Sequence, residues 1–116
     1  MLFRRHARLA PPSRAALTKL LASPTFELIP LKNALDQAAL LPRGATVSVT
    51  ASPTKGLEAT VALATQLRAD GFEVVPHLSA RMVRDREHLC DLVAALRDGD
   101  VDRAFVVGGD EKEPGA

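Results

Sequence analysis

The stretch that decides the fold is residues 73–110, EVVPHLSARMVRDREHLCDLVAALRDGDVDRAFVVGGD, in which two strand-like segments flank one helix-like segment. Short apolar runs predict strands over Glu73–His77 and Ala104–Val107. Asp85 is a typical N-cap for the helix between them, and Gly99 is typical of its end. The apolar positions of that helix are expected to form one buried stripe, namely Leu89, Leu92, Val93 and Leu96. A strand, a helix and a strand in this order indicate that the two strands lie parallel in one sheet.

The same alternation extends toward the amino terminus. The pattern predicts strands over Thr25–Ile29 and Ala45–Thr50, with a helix over Leu31–Leu41 between them. A further helix follows Ser52-Pro53, and its apolar face is expected to hold Leu57, Val61, Ala64 and Leu67. Gly71 suits the left-handed conformation that closes this helix. The chain from residue 25 to residue 116 is therefore expected to be one domain of four strands and three helices.

Residues 1–24 are expected to form a leader that precedes this domain. Pro11-Pro12 is followed by Ser13, which we expect to cap a short amphipathic helix over Ala15–Leu21. Ser23-Pro24 then ends that helix.

Strands that alternate with helices indicate the α/β class with a parallel sheet. Apolar strands such as Ala104–Val107 suggest that the sheet is buried on both faces. The order of elements leaves two architectures open, an open doubly wound sheet and part of a barrel.

The composition is that of an ordinary globular domain. Of the 116 residues, 47% are hydrophobic and 25% charged, which fits a single packed core. Lys plus Arg (15) nearly balance Asp plus Glu (14), so neither nucleic acid nor a membrane is expected as a partner. The basic start lacks the apolar run of a secretory signal. The single cysteine, Cys90, is expected to be buried and reduced, which favours a cytoplasmic location.

Several kinds of chemistry are disfavoured because their motifs are missing from the sequence. No closely spaced set of His, Cys and carboxylate residues suggests a metal site, and there is no GxSxG elbow or Walker loop. His88 is expected to face solvent or another helix rather than a metal.

Polar residues stand at the predicted carboxyl ends of four strands, where parallel α/β sheets place the groups that bind and react. Glu27 lies in or near the end of the first strand, Thr50 closes the second and His77 closes the third. Asp110 follows the fourth strand, and all four residues are candidates for one pocket.

Each candidate also has a purely structural interpretation. A carboxylate in an apolar strand is costly to bury unless it is paired, so Glu27 is either functional or part of a structural salt bridge. Thr50 has a side chain that suits any strand, and His77 could simply hydrogen-bond to a neighbouring backbone group. Gly108-Gly109-Asp110 is either a plain turn or a place where the backbone approaches a phosphate or a cofactor ring.

Four motifs resemble, in order and spacing, those of the methylenetetrahydrofolate reductases. They are Phe26-Glu27-Leu28-Ile29-Pro30, Val47-Ser48-Val49-Thr50, Val75-Pro76-His77-Leu78 and Gly109-Asp110. The resemblance covers Thr25 to Asp110 and leaves the leader uncovered. It implies a (β/α)8 barrel of the TIM type, of which this chain supplies the first four strands and three helices as a half barrel.

The same resemblance implies a reaction and a set of residue roles. The family reduces 5,10-methylenetetrahydrofolate to 5-methyltetrahydrofolate with electrons from NADH or NADPH, normally through bound FAD. Glu27 would be the acid that protonates the folate substrate as its five-membered ring opens. Asp110 would be a carboxylate near the pterin that influences hydride transfer. The implied cofactor-binding positions are Thr50, Ala51, His77, Gly108, Gly109 and Asp110.

Three positions on the cofactor side differ from the family pattern. Ala51 replaces the usual Tyr, Ser52-Pro53-Thr54-Lys55-Gly56 replaces a glycine-rich stretch, and Gly108 replaces the usual Arg. An arginine beside a diphosphate makes a bidentate contact that no glycine can make. These differences favour the flavin-independent members of the family, which take hydride directly from NADH, and FAD binding stays open.

Half a barrel leaves its two outer strands as open edges. The chain is therefore expected to be incomplete at this length, or to be completed by a partner or by its own copy. The first hypothesis is an enzyme of folate one-carbon metabolism, and the second is a catalytically silent half barrel that binds a partner. A third is a small doubly wound domain that binds a nucleotide at Gly108-Gly109-Asp110.

Overall fold

The computed structural model describes residues 8–113. The helices are α1 (Pro11–Ala22), α2 (Ala34–Ala38), α3 (Leu57–Ala69) and α4 (Arg86–Asp98), and the strands are β1 (Thr25–Leu28), β2 (Thr46–Val49), β3 (Glu73–Ser79) and β4 (Phe105–Val107). A 3₁₀ helix, Ala80–Met82, follows β3. Residues 1–7 of the predicted leader and 114–116 of the predicted domain lie outside the described residues. In the part that is described, no helix is both long enough and apolar enough to cross a membrane.

The four strands form one parallel sheet in the order β1-β2-β3-β4. Residue pairs such as Glu27 with Ser48 and His77 with Phe105 fix its register. Each strand lies beside its neighbour in the chain, so the strand order never reverses. The doubly wound alternative is therefore wrong, because such a sheet needs a point of reversal. The α/β class is confirmed, and the architecture is consistent with half of an α/β barrel.

The core lies between one face of this sheet and the helices that connect its strands. Right-handed crossovers between strands in sequential order place their helices on the same face. Val47, Val49 and Val74 alternate onto that face and are buried together with Leu57 and Leu67 of α3. The expectation of burial on both faces is wrong for Ala104–Val107, because Phe105 on one face and Val106 on the other are 55% and 68% exposed. On the open face of the inner strands Ser48 is buried, whereas His77 is only half-buried.

Ion pairs of two arginines hold the amino ends of β3 and β4 together. Arg68, near the end of α3, contacts Glu73 at 3.0 Å and Asp100 at 3.2 Å. Arg103 approaches the second oxygen of Glu73 at 2.8 Å. The pKa of Arg68 is raised by its hydrogen bonds to Glu73 and then to Asp100. The loop before β4 is thereby held against the end of α3.

Two of the predicted helices have different boundaries. Helix α1 begins at Pro11 without a side-chain cap, so the cap assigned to Ser13 is wrong. Proline fits the first helical turn because the backbone N–H that it lacks has no helical partner there. Helix α2 covers only Ala34–Ala38 of the predicted Leu31–Leu41, because Leu41 bonds to the carbonyl three residues earlier and the turn tightens before Pro42.

The surface of α4 corrects two further expectations. Leu92 and Leu96 are buried as predicted, whereas Leu89 and Val93 are 41% and 43% exposed. The predicted stripe is wider than the face that α3 and the sheet cover. Cys90 is exposed and free, so the expectation that it is buried is wrong.

The predicted helix ends are confirmed where they depend on local chemistry. Asp85 accepts a hydrogen bond of 2.8 Å from the backbone N–H of His88 and caps α4. Gly71 adopts a left-handed φ of 97° after α3, and Gly99 is the C-cap residue of α4.

Candidate functional site

A cleft of about 210 Å³ lies at the carboxyl ends of β2, β3 and β4. Five of the predicted site residues line it, namely Thr50, Ala51, His77, Gly109 and Asp110. Parallel strands bring their carboxyl ends to one edge of the sheet, so residues far apart in sequence meet here. The cleft is smaller than the roughly 300–1,000 Å³ of typical small-molecule sites, so the described chain could enclose one ring of a ligand.

The backbone of Thr50 is fixed from both sides. Its N–H donates to the carbonyl of Leu28 on β1 at 3.0 Å. Its carbonyl accepts a hydrogen bond of 2.9 Å from the hydroxyl of Thr60, a fully buried residue of α3. These two bonds hold the end of β2, together with the adjoining Ala51, against β1 and α3.

His77 lies on the open face of the sheet, directly beside β4. Its ring meets that of Phe105 edge to face, with 5.3 Å between the ring centroids and 64° between their planes. The two residues are register partners, so the contact follows from the pairing of β3 with β4. Phe105 is 55% exposed, which leaves an aromatic surface beside His77 at the edge of the cleft.

The turn after β4 depends on a glycine. Gly109 has a φ of 97°, which side chains with a Cβ rarely adopt, and a Cβ there would overlap the hydroxyl of Ser79. Gly108 does not line the cleft, but its carbonyl accepts a hydrogen bond of 3.1 Å from the backbone N–H of Arg81. The turn therefore packs on the start of the 3₁₀ helix and presents the exposed Asp110 at the cleft.

Glu27 lies outside this cleft, although it is on the same open face of the sheet. It is the third residue of β1 and pairs in register with Ser48, and its side chain is exposed. Two strand spacings and two residues along the strand separate it from His77, which corresponds to about 12 Å. The structure thus brings Thr50, His77 and Asp110 together and leaves Glu27 at the far edge. The argument from the cost of burying Glu27 does not apply.

A larger cavity, of about 620 Å³, lies on the other side of the molecule between α3 and α4. His88 is buried there, as an expectation of contact with another helix implied, and its Nδ1 accepts the backbone N–H of Arg84 at 3.1 Å. Its Nε2 is 2.8 Å from the Glu58 carboxylate, without the alignment of a hydrogen bond.

Glu58 and Arg84 form an ion pair of 3.0 Å at the end of this groove. The pKa of Glu58 is held below its ordinary value of 4.5, first by its own backbone N–H and then by the Arg84 guanidinium. The pair joins the first turn of α3 to the residue before the N-cap of α4. This cluster joins α3 to the start of α4, and none of the predicted site residues lines the groove.

Sequence reasoning missed five residues that line the cleft, namely Pro53, Ser79, Met82, Val107 and Glu111. Ser79 is buried against Gly109, and Met82 of the 3₁₀ helix lines the same cleft. Ser79 follows His77 by two residues, so the period of a longer β3 would have placed it on the same face. Met82 had no such signal, because the 3₁₀ helix has no regular pattern of its own.

Comparison with models of protein families gives no match to this sequence. Among residues 8–113, no group of three His, Cys, Asp or Glu side chains is placed to hold a metal ion.

Proposed function

We propose that the chain carries the first half of an active site of the methylenetetrahydrofolate reductase type. The observation that supports this function most is the cleft at the carboxyl ends of three adjacent strands, where Thr50, His77 and Asp110 meet. The motif resemblance would put cofactor and folate contacts at the same three residues. Glu27 lies on the same open sheet face, toward the carboxyl end of β1.

The proposed reaction consumes one proton and one hydride. Glu27 donates a proton to N10 of 5,10-methylenetetrahydrofolate, the bond from N10 to the methylene carbon breaks, and an N5 iminium ion results. A bound nicotinamide would supply the hydride for the iminium carbon, and the products would be 5-methyltetrahydrofolate and NAD(P)⁺. The exposed Asp110 carboxylate would stabilise the positive charge of the iminium ion. A positioned acid of this kind contributes roughly 10² to 10⁴ in rate.

Direct transfer from the nicotinamide is favoured over transfer through FAD. Ala51 and Gly108 stand where the family pattern has a Tyr and an Arg on the flavin side, so two side-chain contacts to a flavin cofactor are lost. No step of the proposed reaction therefore involves FAD. NADH and NADPH both have the required nicotinamide.

Deuteride transfer tests this function at the level of the product. The chain is incubated with methylenetetrahydrofolate and NADH deuterated at C4, and mass spectrometry measures deuterium in the methyl group. We expect transfer that falls at least a hundredfold in Glu27→Gln and is unchanged in Thr25→Ser, an exposed position on the same strand. Equal transfer by both variants would refute the proposed role of Glu27, and absence of deuterium from the product would refute the function of this chain as a reductase without a further half barrel.

A catalytically silent half barrel that binds a partner is the second candidate. It is favoured by large apolar side chains that the described chain leaves exposed beside β4, among them Val93, Phe105 and Val106. Under this hypothesis neither the wild type nor Glu27→Gln would transfer deuteride. The deuteride measurement therefore separates the two candidates.

The proposed location is the cytoplasm. An exposed, unpaired thiol at Cys90 suits a reducing compartment, where such a thiol stays reduced.

A further inference from the structure

The described sheet ends in two unpaired edges of the same polarity. β1 pairs only with β2, and β4 pairs only with β3, so each has a row of backbone groups without strand partners within residues 8–113. All four strands run parallel, so the free edge of β4 can accept another strand in the direction of β1. Exposed edges of this kind pair readily with other chains.

Apolar side chains lie beside both edges. On the side of β4, Val93 and Val106 are 43% and 68% exposed. On the side of β1, Ile29 and Leu31, which follow that strand in the chain, are 50% and 52% exposed. Burial of such side chains is favourable in proportion to the apolar area removed from water. Coverage of both edges at once would therefore be strongly favourable, and one identical copy offers the complement of each.

The two proposed reacting groups stand at opposite edges. Glu27 is on β1, and Asp110 follows β4, so three strand spacings, or about 14 Å of sheet, separate their strands. In one copy, therefore, Glu27, the proposed proton donor, and Asp110, the carboxylate proposed to lie near the pterin, are on strands that are not neighbours. A strand β1 placed against the free edge of β4 would supply a second Glu27 beside Val107 and Asp110.

We infer that two copies of this chain associate edge to edge, each with its β4 beside the β1 of the other. A twofold axis along the common strand direction keeps all eight strands parallel, and eight is the number at which side chains just fill the interior of a barrel. Each of the two sites then combines Asp110 of one copy with Glu27 of the other. The assembly rests on the sheet edges, whereas the catalytic use of the composite site rests on the proposed function.

Sedimentation equilibrium of the 116-residue chain tests the assembly without reference to activity. The expected mass is twice that of the chain. Val93→Asp puts a charge on the exposed apolar face of α4 and is expected to raise the dissociation constant at least tenfold. Ala94→Asp is the matched control, because Ala94 is exposed and turned a further 100° away around the same helix. A monomer, any stoichiometry other than two, or equal effects of both variants would overturn the inference.

Crosslinking tests which strands are neighbours. In a Cys90→Ser background, Glu27→Cys chains are mixed with Val107→Cys chains and treated with a short bismaleimide. Both positions are on the open face, and in the assembly they lie on adjacent strands of different copies. We expect covalent dimers in large excess over those from a mixture of Glu27→Cys with Ala94→Cys. Equal yields from the two mixtures would contradict the edge-to-edge arrangement.

The assembly and the reaction can fail separately. A crosslinked dimer that transfers no deuteride would retain the assembly and reject the reductase function. A monomer that transfers deuteride would retain the function and reject the assembly. If both hold, an equal mixture of Glu27→Gln and Asp110→Asn chains should recover about one quarter of the wild-type rate, because half of the dimers then have one intact site. No recovery would show that the two groups act within one copy.

Discussion

The glycine after β4 gives the sharpest test of the geometry of the cleft. Gly109 combines a φ of 97° with close packing against Ser79. A left-handed conformation costs a residue with a Cβ about 1–2 kcal/mol, and overpacking costs about 1–3 kcal/mol. Gly109→Ala is therefore expected to lower the free energy of unfolding by about 2–5 kcal/mol if the strand end keeps its place.

Three further variants, namely Gly108→Ala, Ser79→Ala and the double variant Ser79→Ala/Gly109→Ala, separate these contributions. Gly108→Ala is the matched control, because no heavy atom lies within 4 Å of the position of its Cβ and its φ is not positive. It is expected to cost less than about 1 kcal/mol. In a Ser79→Ala background the hydroxyl is gone, and the nearest remaining atom of residue 79 would be its Cβ at 3.5 Å. Gly109→Ala should then cost only the conformational part, about 1–2 kcal/mol.

Urea denaturation followed by circular dichroism measures the free energies of unfolding of the wild type and of the four variants. The reasoning requires a coupling of at least about 1 kcal/mol between positions 79 and 109. If Gly109→Ala costs the same with and without the Ser79 hydroxyl, the turn does not pack on β3 as described. If Gly108→Ala costs as much as Gly109→Ala, the left-handed conformation has been assigned to the wrong glycine.

Three further predictions concern the scaffold around the cleft. Leu67→Ala removes a side chain with no exposed surface and should cost about 2–5 kcal/mol in urea denaturation, whereas Leu89→Ala, at a site 41% exposed, should cost less than about 1 kcal/mol. Asp85→Ala removes the cap of α4 and should cost about 1 kcal/mol by the same measurement, and no loss of stability would mean that the cap is not formed. Glu58 has a lowered pKa, so its stabilising contribution is present above its unfolded value near 4.5 and is lost as the pH falls through the lower folded value. The melting temperatures of the wild type and of Glu58→Gln should therefore differ at pH 7 and converge in acid, and a difference that grows in acid would contradict the assigned direction.

Local signals in the sequence predicted most of the elements. Asp85 is the N-cap and Gly99 the C-cap of α4, and both act through contacts within one helical turn. The sequence pattern was therefore sufficient to predict both ends of the helix. The four strands were predicted near their observed positions because short β-branched runs alternate with helical periods. The end of β3 was wrong, because the strand continues to Ser79 and His77 does not close it. Ser13 was wrongly predicted as the N-cap of α1. Pro11 and Pro12 form part of the first helical turn, so the helix begins two residues before Ser13.

What the sequence could not predict depends on neighbours in space. Leu89 and Val93 have the helical period of a buried stripe, but burial requires a covering element, and none of the described elements lies there. Glu27 looked like a buried carboxylate because its strand is apolar, whereas β1 is an edge strand with one open face. The approach of Ser79 to Gly109 joins residues thirty positions apart, and periodicity has no information on such a contact.

The central claim is that ligands bind at the carboxyl ends of the strands and not in the larger groove between α3 and α4. The most direct measurement is an amide chemical-shift titration of the isotopically labelled chain with 5-methyltetrahydrofolate, the product of the proposed reaction. The account predicts saturable shifts at Thr50, His77 and Gly109, with the amides of Glu58 and His88 unmoved. Shifts confined to the α3–α4 groove, or none at the strand ends up to the solubility of the ligand, would contradict it.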